Sequence, residues 1–346
     1  MDIPRTLQDL PPDAARFCLG VERFMDRELG VRPEGVVLVG LSGGADSTAL
    51  LLALRWLAPR LGCEVRAAHL DHGLRPESSD EAEAARDLCR SLDVPCVVER
   101  QDVAALAETQ SLGLEEAARR ARYAFLDRVR KDAGAAPGMS WIAVGHTLDD
   151  LAEDVVMRLV RGAGWPALGG MAGADPDRRL LRPLLQTPKN DIEAFLRGLD
   201  VAWTEDASNR DLAFLRNRLR HAVLPLLKLE NPLFAKGVGR LWQQARQDSA
   251  WLTAELDALP WQEEPGGGLS LPLPALRKLP SALRLRACKH ALERLGPGQP
   301  LADNLFALDE AVMSGAGGKT VQFPGSKIVK IGGGTVRFLP AGNKNR

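Results

Sequence analysis

The segment "VVLVGLSGGADSTALLLAL" at residues 36–54 constrains the fold more than any other part of this chain. It begins with a continuous apolar run, typical of a strand buried on both faces, passes through a glycine turn and continues as a leucine-rich helix. Gly43 and Gly44 allow the backbone to approach an anion closely, and the start of the helix offers free amide groups and a favourable dipole. The segment therefore predicts a strand–turn–helix unit that binds phosphate.

Strand and helix patterns alternate from about residue 36 to residue 205, which predicts a parallel-sheet, Rossmann-like α/β domain. The predicted strands are 36–41, 64–72, 95–102 and 141–146. The predicted helices are 46–58, 80–92, 114–131 and 148–161. Ligands of such sheets bind beyond the carboxyl ends of the strands, and residues 42–47, 69–75 and 146–150, whose side chains suit chemistry, are predicted to lie there.

A shift in composition predicts that the rest of the chain folds separately. We expect a first domain at 1–226, a helical connector at 227–262 and a small α+β domain at 263–346. The proline- and glycine-rich stretch 260–274 is interpreted as a linker. After it we expect helices at 281–295 and 301–313, and strands near 319–323, 327–331 and 335–339.

Composition limits the partners and the compartment. The chain has 45 basic and 45 acidic residues, so a nucleic-acid partner needs a local basic face rather than overall charge. Five cysteines without any C-x-x-C pair predict reduced thiols in a cytoplasmic protein. We expect no membrane span, because no apolar run of about 18 residues occurs, and no signal peptide.

The glycine turn lacks the lysine of a P-loop NTPase, so another group must neutralise the phosphate charge. Asp46 would repel phosphate unless it holds a cation, and Mg²⁺ prefers hard carboxylate oxygens. A bare S-G-G would favour a simple capped turn, but the full hexad between a buried strand and a helix favours a phosphate site. The predicted phosphate-binding residues are Ser42, Gly43, Gly44, Ala45, Asp46 and Ser47, with Asp46 as the Mg²⁺ ligand.

A cluster of acids follows the fourth predicted strand. Asp149, Asp150 and Glu153 lie at the start of helix 148–161, where the i, i+4 step from Asp149 to Glu153 can present two carboxylates on one face. Ordinary capping by acids at a helix N-terminus is the alternative for Asp149 and Asp150.

Basic residues crowd the segment 209–227. One interpretation of this segment is a solvated helix face. Because acids are scarce in it, a strip that contacts phosphates is at least equally favoured. The residues concerned are Arg210, Arg216, Asn217, Arg218, Arg220 and His221.

Three other patterns have plainer explanations. His69, Asp71 and His72 alternate along a strand, so they cannot readily share one metal ion. Arg119 and Arg122 belong to a helix whose charges would, taken alone, indicate surface ion pairs. The sequence "SGAGGKTVQF" at 314–323 resembles a Walker A motif but lacks its first glycine, and it enters a predicted strand rather than a helix.

The hexad resembles that of the N-type ATP pyrophosphatases, the PP-loop family, which has the adenine nucleotide alpha hydrolase-like fold. Six segments in order resemble one branch, the tRNA(Ile)-lysidine synthetases. They are "LSGGADS", "DHGLRPESSDEAE", "LEEAARRARY", "GHTLDDLAEDVVMRLVRGAG", "LLRPLL" and "WTEDASNRDLAFLRNRLRHAVLP", which together cover most of residues 36–226. Two positions depart from the family pattern, Leu151 where glutamine is usual and Asp154 where threonine is usual.

The resemblance implies a ligase that forms a carbon–nitrogen bond. It would use ATP, Mg²⁺ and L-lysine to convert the wobble cytidine of an isoleucine tRNA with a CAU anticodon into lysidine. The implied catalytic residues are Asp46, Arg119, His146, Asp149, Asp150 and Glu153, with Arg122 as an alternative to Arg119. The implied tRNA-binding residues are Arg216, Asn217, Arg218 and Arg220.

The resemblance also implies that the C-terminal domain contacts tRNA through a basic helix. Its residues are Arg284, Arg286, Lys289, His290 and Arg294. A homodimer is a candidate assembly, since members of the family are often dimers, but the sequence leaves the oligomeric state open. Two alternatives are a PP-loop enzyme that thiolates tRNA, which the lack of paired cysteines disfavours, and a non-catalytic ATP-binding module.

Overall fold

The computed structural model describes residues 4–73, 78–134, 136, 138–204, 215–314 and 318–340. It divides the chain into two compact units, Met1–Gln243 and Gln244–Arg346. The predicted division at residues 226 and 262 into catalytic domain, connector and C-terminal domain stays a prediction. Over the described ranges, no helix combines the length and the apolar character needed to cross a membrane.

The first unit is built, within the described residues, on a six-stranded sheet. In chain order its strands are β1 (Gly35–Gly40), β2 (Cys63–Asp71), β3 (Cys96–Arg100), β4 (Ser140–Ala143), β5 (Ala174–Asp175) and β6 (Leu180–Leu181). Their spatial order is β3-β2-β1-β4-β6-β5, and all neighbours are parallel except β5 and β6. Strands β1 to β4 lie at the four predicted positions, so the predicted α/β class is confirmed.

Helices pack against this sheet. Those in contact with the sheet include α2 (Ala45–Leu61), α3 (Ser78–Ser91) and α5 (Leu114–Asp132), and the others, in chain order, are α1 (Pro12–Arg23), α4 (Val103–Gln110), α6 (Leu148–Val160), α7 (Lys189–Gly198), α8 (Leu215–Arg218), α9 (Leu224–Glu230) and α10 (Phe234–Asp257), which continues from the first unit into the second. Helices α2, α3, α5 and α6 match the predicted helices within three residues at each end, whereas α4 and α7 have no predicted counterpart.

Strand β1 explains why its sequence is apolar at every position. Val37 and Val39 pack into a core cluster with α1, α2 and α7, whereas Leu38 packs into a second cluster with α5 on the opposite face. Successive strand residues point to opposite faces, so a strand covered on both sides needs an unbroken apolar run. Burial of α2 against β1 fixes the amino end of α2 beside the carboxyl end of β1.

The second unit contains, within the described residues, a five-stranded sheet in the order β7-β8-β11-β10-β9 with antiparallel pairing. Its elements in chain order are β7 (Gln262–Glu264), β8 (Gly268–Pro272), α11 (Leu273–Lys278), α12 (Ser281–Arg294), α13 (Ala302–Ser314), β9 (Lys319–Phe323), β10 (Lys327–Gly332) and β11 (Thr335–Pro340). The strand predicted after the Walker-like residues is confirmed as β9, while residues 315–317 lie outside the described residues.

The prediction of a linker at 260–274 is wrong, because β7 and β8 form a hairpin inside this sheet. Gly266 and Gly267 make its turn with φ angles of +79° and +82°, a conformation that suits glycine. Leu269 and Leu271 of β8 are buried in the core of the unit. The glycines and prolines therefore mark a turn and strand ends rather than a flexible connection.

One residue of the predicted RNA-contacting helix has a structural role instead. Arg284 is only 7% exposed, and its NH2 group donates to Oδ2 of Asp309 on α13 at 3.0 Å. Its NH1 group donates to the Leu279 carbonyl at 2.8 Å. Arg284 thus holds α12 against α13, and the prediction that it faces RNA is wrong. For the other four basic residues of α12 the prediction stays open.

Candidate active site

The glycine turn closes on itself between β1 and α2. The backbone amide of Ser42 donates to Oγ of Ser47 at 3.1 Å, and that hydroxyl donates to the Gly44 carbonyl, also at 3.1 Å. Gly43 has a φ of +85°, and Gly44 is the N-cap of α2. The predicted phosphate-binding residues therefore form a single compact bend at the carboxyl end of β1.

His69, which is not predicted to be a metal ligand, supports this bend from the neighbouring strand. Its Nδ1 lies 2.9 Å from the Leu41 carbonyl, an acceptor only, so Nδ1 carries the proton and donates. Asp71 accepts a hydrogen bond from the Gly73 amide at 2.8 Å. Both side chains thus make backbone contacts at the end of β2.

A close backbone contact joins the glycine turn to the segment after β4. A Cβ built on Gly145 would lie 2.9 Å from the carbonyl carbon of Asp46 and 3.0 Å from the amide nitrogen of Ser47. Only glycine lets these two segments approach so closely. The first turn of α2 and the residues that lead into α6 therefore share one site, as neighbouring parallel strands predict.

We expect Gly145→Ala to push the first turn of α2 away and to weaken ATP binding by about 10-fold, which corresponds to about 1.4 kcal/mol of binding free energy. Gly164→Ala is the matched control, because nothing lies within 4 Å of a Cβ there. Titration of both variants with a fluorescent ATP analogue checks this. Equal affinity in the two variants would mean that the contact at Gly145 does not shape the site.

Asp46 has the environment of a cation ligand. Its Oδ1 is buried and has no hydrogen-bond partner among the described residues, while Oδ2 lies 3.8 Å from Nζ of Lys189. Burial raises the pKa of Asp46 to about 6, and the nearby Lys189 ammonium opposes this rise. A buried carboxylate oxygen that lacks a partner is costly unless a positive charge reaches it.

The single carboxylate of Asp46 suits Mg²⁺ in a nucleotide site, where the protein supplies few of the metal's ligands. Over the described ranges, no group of three or more His, Cys, Asp and Glu side chains could hold a metal. Mg²⁺ in nucleotide sites typically takes one or two carboxylates, and phosphates and water complete its shell. Asp46 would supply the carboxylate, at the end of the turn that is predicted to hold the phosphates.

Helix α6 begins with a capping box that fixes Asp150. Its Oδ2 accepts from the Thr147 amide at 2.9 Å and from the Thr147 hydroxyl at 3.0 Å. Capping, the alternative weighed for Asp150, is therefore present. The other oxygen, Oδ1, accepts from NH2 of Arg216 at 2.9 Å, so the same carboxylate also faces the site.

Glu153 forms the centre of a buried charge cluster. It is 2% exposed, and its carboxylate accepts from Nε of Arg216 at 2.8 Å and from Nε of Arg220 at 2.5 Å. Arg220 also lies 3.5 Å from Oδ1 of Asp150. The two carboxylates and two guanidinium groups of Asp150, Glu153, Arg216 and Arg220 therefore make one network, called the carboxylate–arginine cluster below.

Asp149 lies outside this cluster. Its Oδ1 pairs with Nζ of Lys228 on α9 at 2.6 Å, and its Oδ2 accepts from the Lys189 amide at 3.0 Å. The structure thus pairs Glu153 with Asp150 through shared arginines, rather than with Asp149 as the i, i+4 spacing suggested. Asp149 remains close to the phosphate side, because Lys189 also approaches Asp46.

The predicted tRNA-binding residues face different directions. Arg216 and Arg220 turn inward to the cluster, and Asn217 is 9% exposed. Arg218 is exposed, as is the neighbouring His221. The segment is therefore not one solvated strip. Arg210, which was part of the same prediction, lies outside the described residues.

His146 and Arg119 approach the site from two further elements. His146 follows β4, is half-buried, and accepts at Nδ1 from Nε of Arg182 at 3.0 Å. Arg119 is exposed on α5, with its guanidinium 5.2 Å from the ring centre of Tyr123. Arg122, the alternative to Arg119, has NH2 3.4 Å from Nε2 of His72.

The sequence alone predicts no role for Arg182. Its signal was present in "LLRPLL", where a single charged residue interrupts an apolar segment. A lone charge in a buried run needs a partner, which the sequence alone does not identify. The two residues that depart from the family pattern make structural contacts. Leu151 is fully buried in an apolar cluster, and Asp154 pairs with Arg158 at 2.8 Å.

Fold and site together define a PP-loop nucleotide-binding domain, and a family model for the PP-loop domain matches residues 19–227. The chain belongs to the tRNA(Ile)-lysidine synthase family of PP-loop proteins, because it is 47% identical over 331 residues to a tRNA(Ile)-lysidine synthase of Nitratidesulfovibrio vulgaris. That alignment covers 89% of this chain and 94% of the relative.

Two other relatives with the same name are longer than this chain. The one from Geobacter sulfurreducens is 38% identical over 84% of this chain and 62% of its own length. The one from Thermus thermophilus is 34% identical over 93% of this chain and 60% of its own length. The chain thus spans about three fifths of these two proteins.

A solved structure supports the fold alone. The U34-tRNA thiolase NcsA from Methanococcus maripaludis aligns with a TM-score of 0.55 at 18% sequence identity. The alignment covers 67% of this chain and 78% of that protein.

Proposed function

We propose that this chain ligates L-lysine to C2 of the wobble cytidine of a tRNA(Ile) with a CAU anticodon, with release of AMP and pyrophosphate. Membership in the tRNA(Ile)-lysidine synthase family supports this ligase activity and the use of ATP. The observation that carries the proposal is the pairing of two sites. A glycine turn that ends at Asp46, whose Oδ1 has no hydrogen-bond partner among the described residues, lies beside the carboxylate–arginine cluster of α6.

In the first step, the O2 oxygen of cytosine attacks the α-phosphorus of ATP, and the bond between that phosphorus and the bridging oxygen of pyrophosphate breaks. The amides and hydroxyls of residues 42–47 would hold the departing pyrophosphate. Mg²⁺ held by Asp46 would supply positive charge against the phosphate oxygens. Arg119 and His146 would also contact the nucleotide.

In the second step, the ε-amine of lysine attacks C2 and the C2–O bond breaks, which releases AMP. The amine has a pKa of about 10.4 in water, so it must lose a proton before it can attack. Asp149, Asp150 and Glu153 are the groups we propose to bind the ammonium and to take that proton. Asp149 is the most accessible of the three, because its side chain is 25% exposed, against 14% for Asp150 and 3% for Glu153.

The cluster geometry suggests how tRNA takes part in this step. Arg216 and Arg220 already neutralise Asp150 and Glu153, so a lysine ammonium must share or replace a guanidinium there. A phosphate or base of tRNA can accept the displaced arginine, since guanidinium groups bind phosphate in a bidentate manner. We therefore expect lysine to bind more tightly when tRNA is present, which calorimetry with and without tRNA can measure.

Labelled lysine, ATP and bulk tRNA, followed by mass analysis of the nucleosides, test the proposal directly. The expected product is cytidine that carries the added mass of lysine. We propose that the protein acts in the cytoplasm, as a monomer or a homodimer. In a parallel reaction with an added sulfur donor, a newly formed sulfur-bearing nucleoside would instead support the thiolation alternative. Nucleotide binding without pyrophosphate release would support a non-catalytic ATP-binding module.

A further inference from the structure

We infer that Arg182 is a positioning residue that holds His146 as the neutral imidazole with its proton on Nε2. Nε of Arg182 donates to Nδ1 of His146 at 3.0 Å. A guanidinium has no acceptor and keeps its protons in proteins, so Nδ1 must be unprotonated to receive this bond. The single proton of the neutral ring then lies on Nε2, because the hydrogen bond at one ring nitrogen sets the state of the other.

Arg182 is itself fixed by the fold. It is 7% exposed, and its NH1 donates to the Ala172 carbonyl in the loop before β5 at 2.6 Å. The Tyr123 side chain on α5 also interacts with its charge. A buried side chain with these partners cannot swing away from His146 without breaking a buried hydrogen bond.

The charges that face His146 act together with this bond. Burial is the main cause that lowers the pKa of His146 to about 4, and the positive charges of Arg182, Arg216 and Arg119 act in the same direction. The carboxylate of Asp150 opposes them. The imidazolium would therefore form only near pH 4, well below physiological pH.

The free nitrogen of His146 is available for a ligand. Nε2 has no hydrogen-bond partner within the described part of the chain, and the ring follows Gly145, which touches the backbone of Asp46. The catalytic consequence rests on the proposed function: Nε2–H would donate to a phosphate or leaving oxygen. The Nε2–H donor keeps the same protonation between pH 6 and pH 8. A free imidazole, with a pKa of about 6.5, would change its protonation over that range.

The tautomer can be observed without tRNA or ATP. The chain has five histidines, so a sample with ¹⁵N-labelled histidine gives few signals, and His146→Gln identifies the one that belongs to His146. At pH 7 we expect an unprotonated Nδ1 and a protonated Nε2, with no titration of the ring down to about pH 5. A proton on Nδ1, or an imidazolium at pH 7, would overturn the inference.

Variants of Arg182 separate positioning from folding. Arg182→Met removes the donor, so we expect a raised His146 pKa, a mixture of tautomers, and a turnover of ATP–pyrophosphate exchange lowered about 10- to 100-fold, as for other residues that orient a functional histidine. The KM for ATP should change less than this turnover. Arg182→Lys, which keeps a charged donor, should restore the Nε2 tautomer.

Arg130→Met is the matched control, because Arg130 is also a poorly exposed arginine of the first unit, bonded to Ser140 and Asp127. It should leave the His146 signals and the exchange reaction unchanged. Unchanged tautomer and turnover in Arg182→Met would refute the inference. If the tautomer is as inferred but the wild-type chain shows no exchange, the proposed function fails and the role of Arg182 in fixing the ring stands.

Discussion

Replacement of Asp46 by asparagine is expected to lower tRNA-dependent ATP–pyrophosphate exchange by at least about 100-fold, the scale on which one lost charge-stabilising group slows an enzyme. The amide keeps the shape of the side chain but loses the charge of Oδ1, which is buried and partnerless in the described structure. Under the proposed function, the loss of that charge would remove the Mg²⁺ ligand, and with it the positive charge that would act on the departing pyrophosphate.

The same variant is expected to remain folded. The pKa of Asp46 rises from 3.8 to about 6 on folding, so the ionised carboxyl costs stability above pH 4 and costs most above about pH 6. Asparagine removes that cost, and its thermal midpoint at pH 7 should equal or exceed that of the wild type. Asp191→Asn, an exposed acid in the first turn of α7, is the control and should keep full exchange. Wild-type exchange in Asp46→Asn would show that Asp46 is not needed for the chemistry.

Replacement of Glu153 by glutamine is expected to destabilise the first unit by about 3–5 kcal/mol, the usual cost of removing one partner from a buried ion pair. Glu153 neutralises Arg216 and Arg220 through three short contacts, at 2.8, 2.5 and 2.9 Å. Glutamine leaves one positive charge in excess beside Asp150. Transfer of lysine should fall as well, because the site loses a carboxylate that we propose to bind the ammonium.

Chemical denaturation followed by tryptophan fluorescence measures the loss of stability. Glu193→Gln is the matched control, because Glu193 pairs with Arg197 at 2.6 Å on the exposed side of α7, where the arginine side chain is 62% exposed. Such pairs contribute about 0–1 kcal/mol. If the two variants unfold at the same denaturant concentration, the carboxylate–arginine cluster does not hold the site together.

The elements nearest the site were predictable because local patterns determine them. The apolar run before Ser42 and the glycines after it predict both β1 and the start of α2. The acids that follow Thr147 predict the start of α6. In each case the relevant contacts join residues close in sequence or strands whose parallel pairing follows from the alternation of strand and helix.

The pairings across the site were not predictable, because they depend on contacts between distant parts of the sequence. Arg216 and Glu153 are far apart in sequence, as are Arg182 and His146, and only the folded sheet brings each pair together. The sequence predicts that a buried charge needs a partner but does not name the partner. The hairpin at 262–272 was missed because glycine and proline are typical of tight turns as well as of linkers.

A structure of the chain with Mg²⁺ and an ATP analogue that cannot be cleaved between its α- and β-phosphates tests the central claim most directly. We expect the β- and γ-phosphates to lie against the amides of residues 42–47, with the metal bound to Oδ1 of Asp46. We also expect the α-phosphate to face His146. A triphosphate bound elsewhere, with the turn empty, would contradict the account.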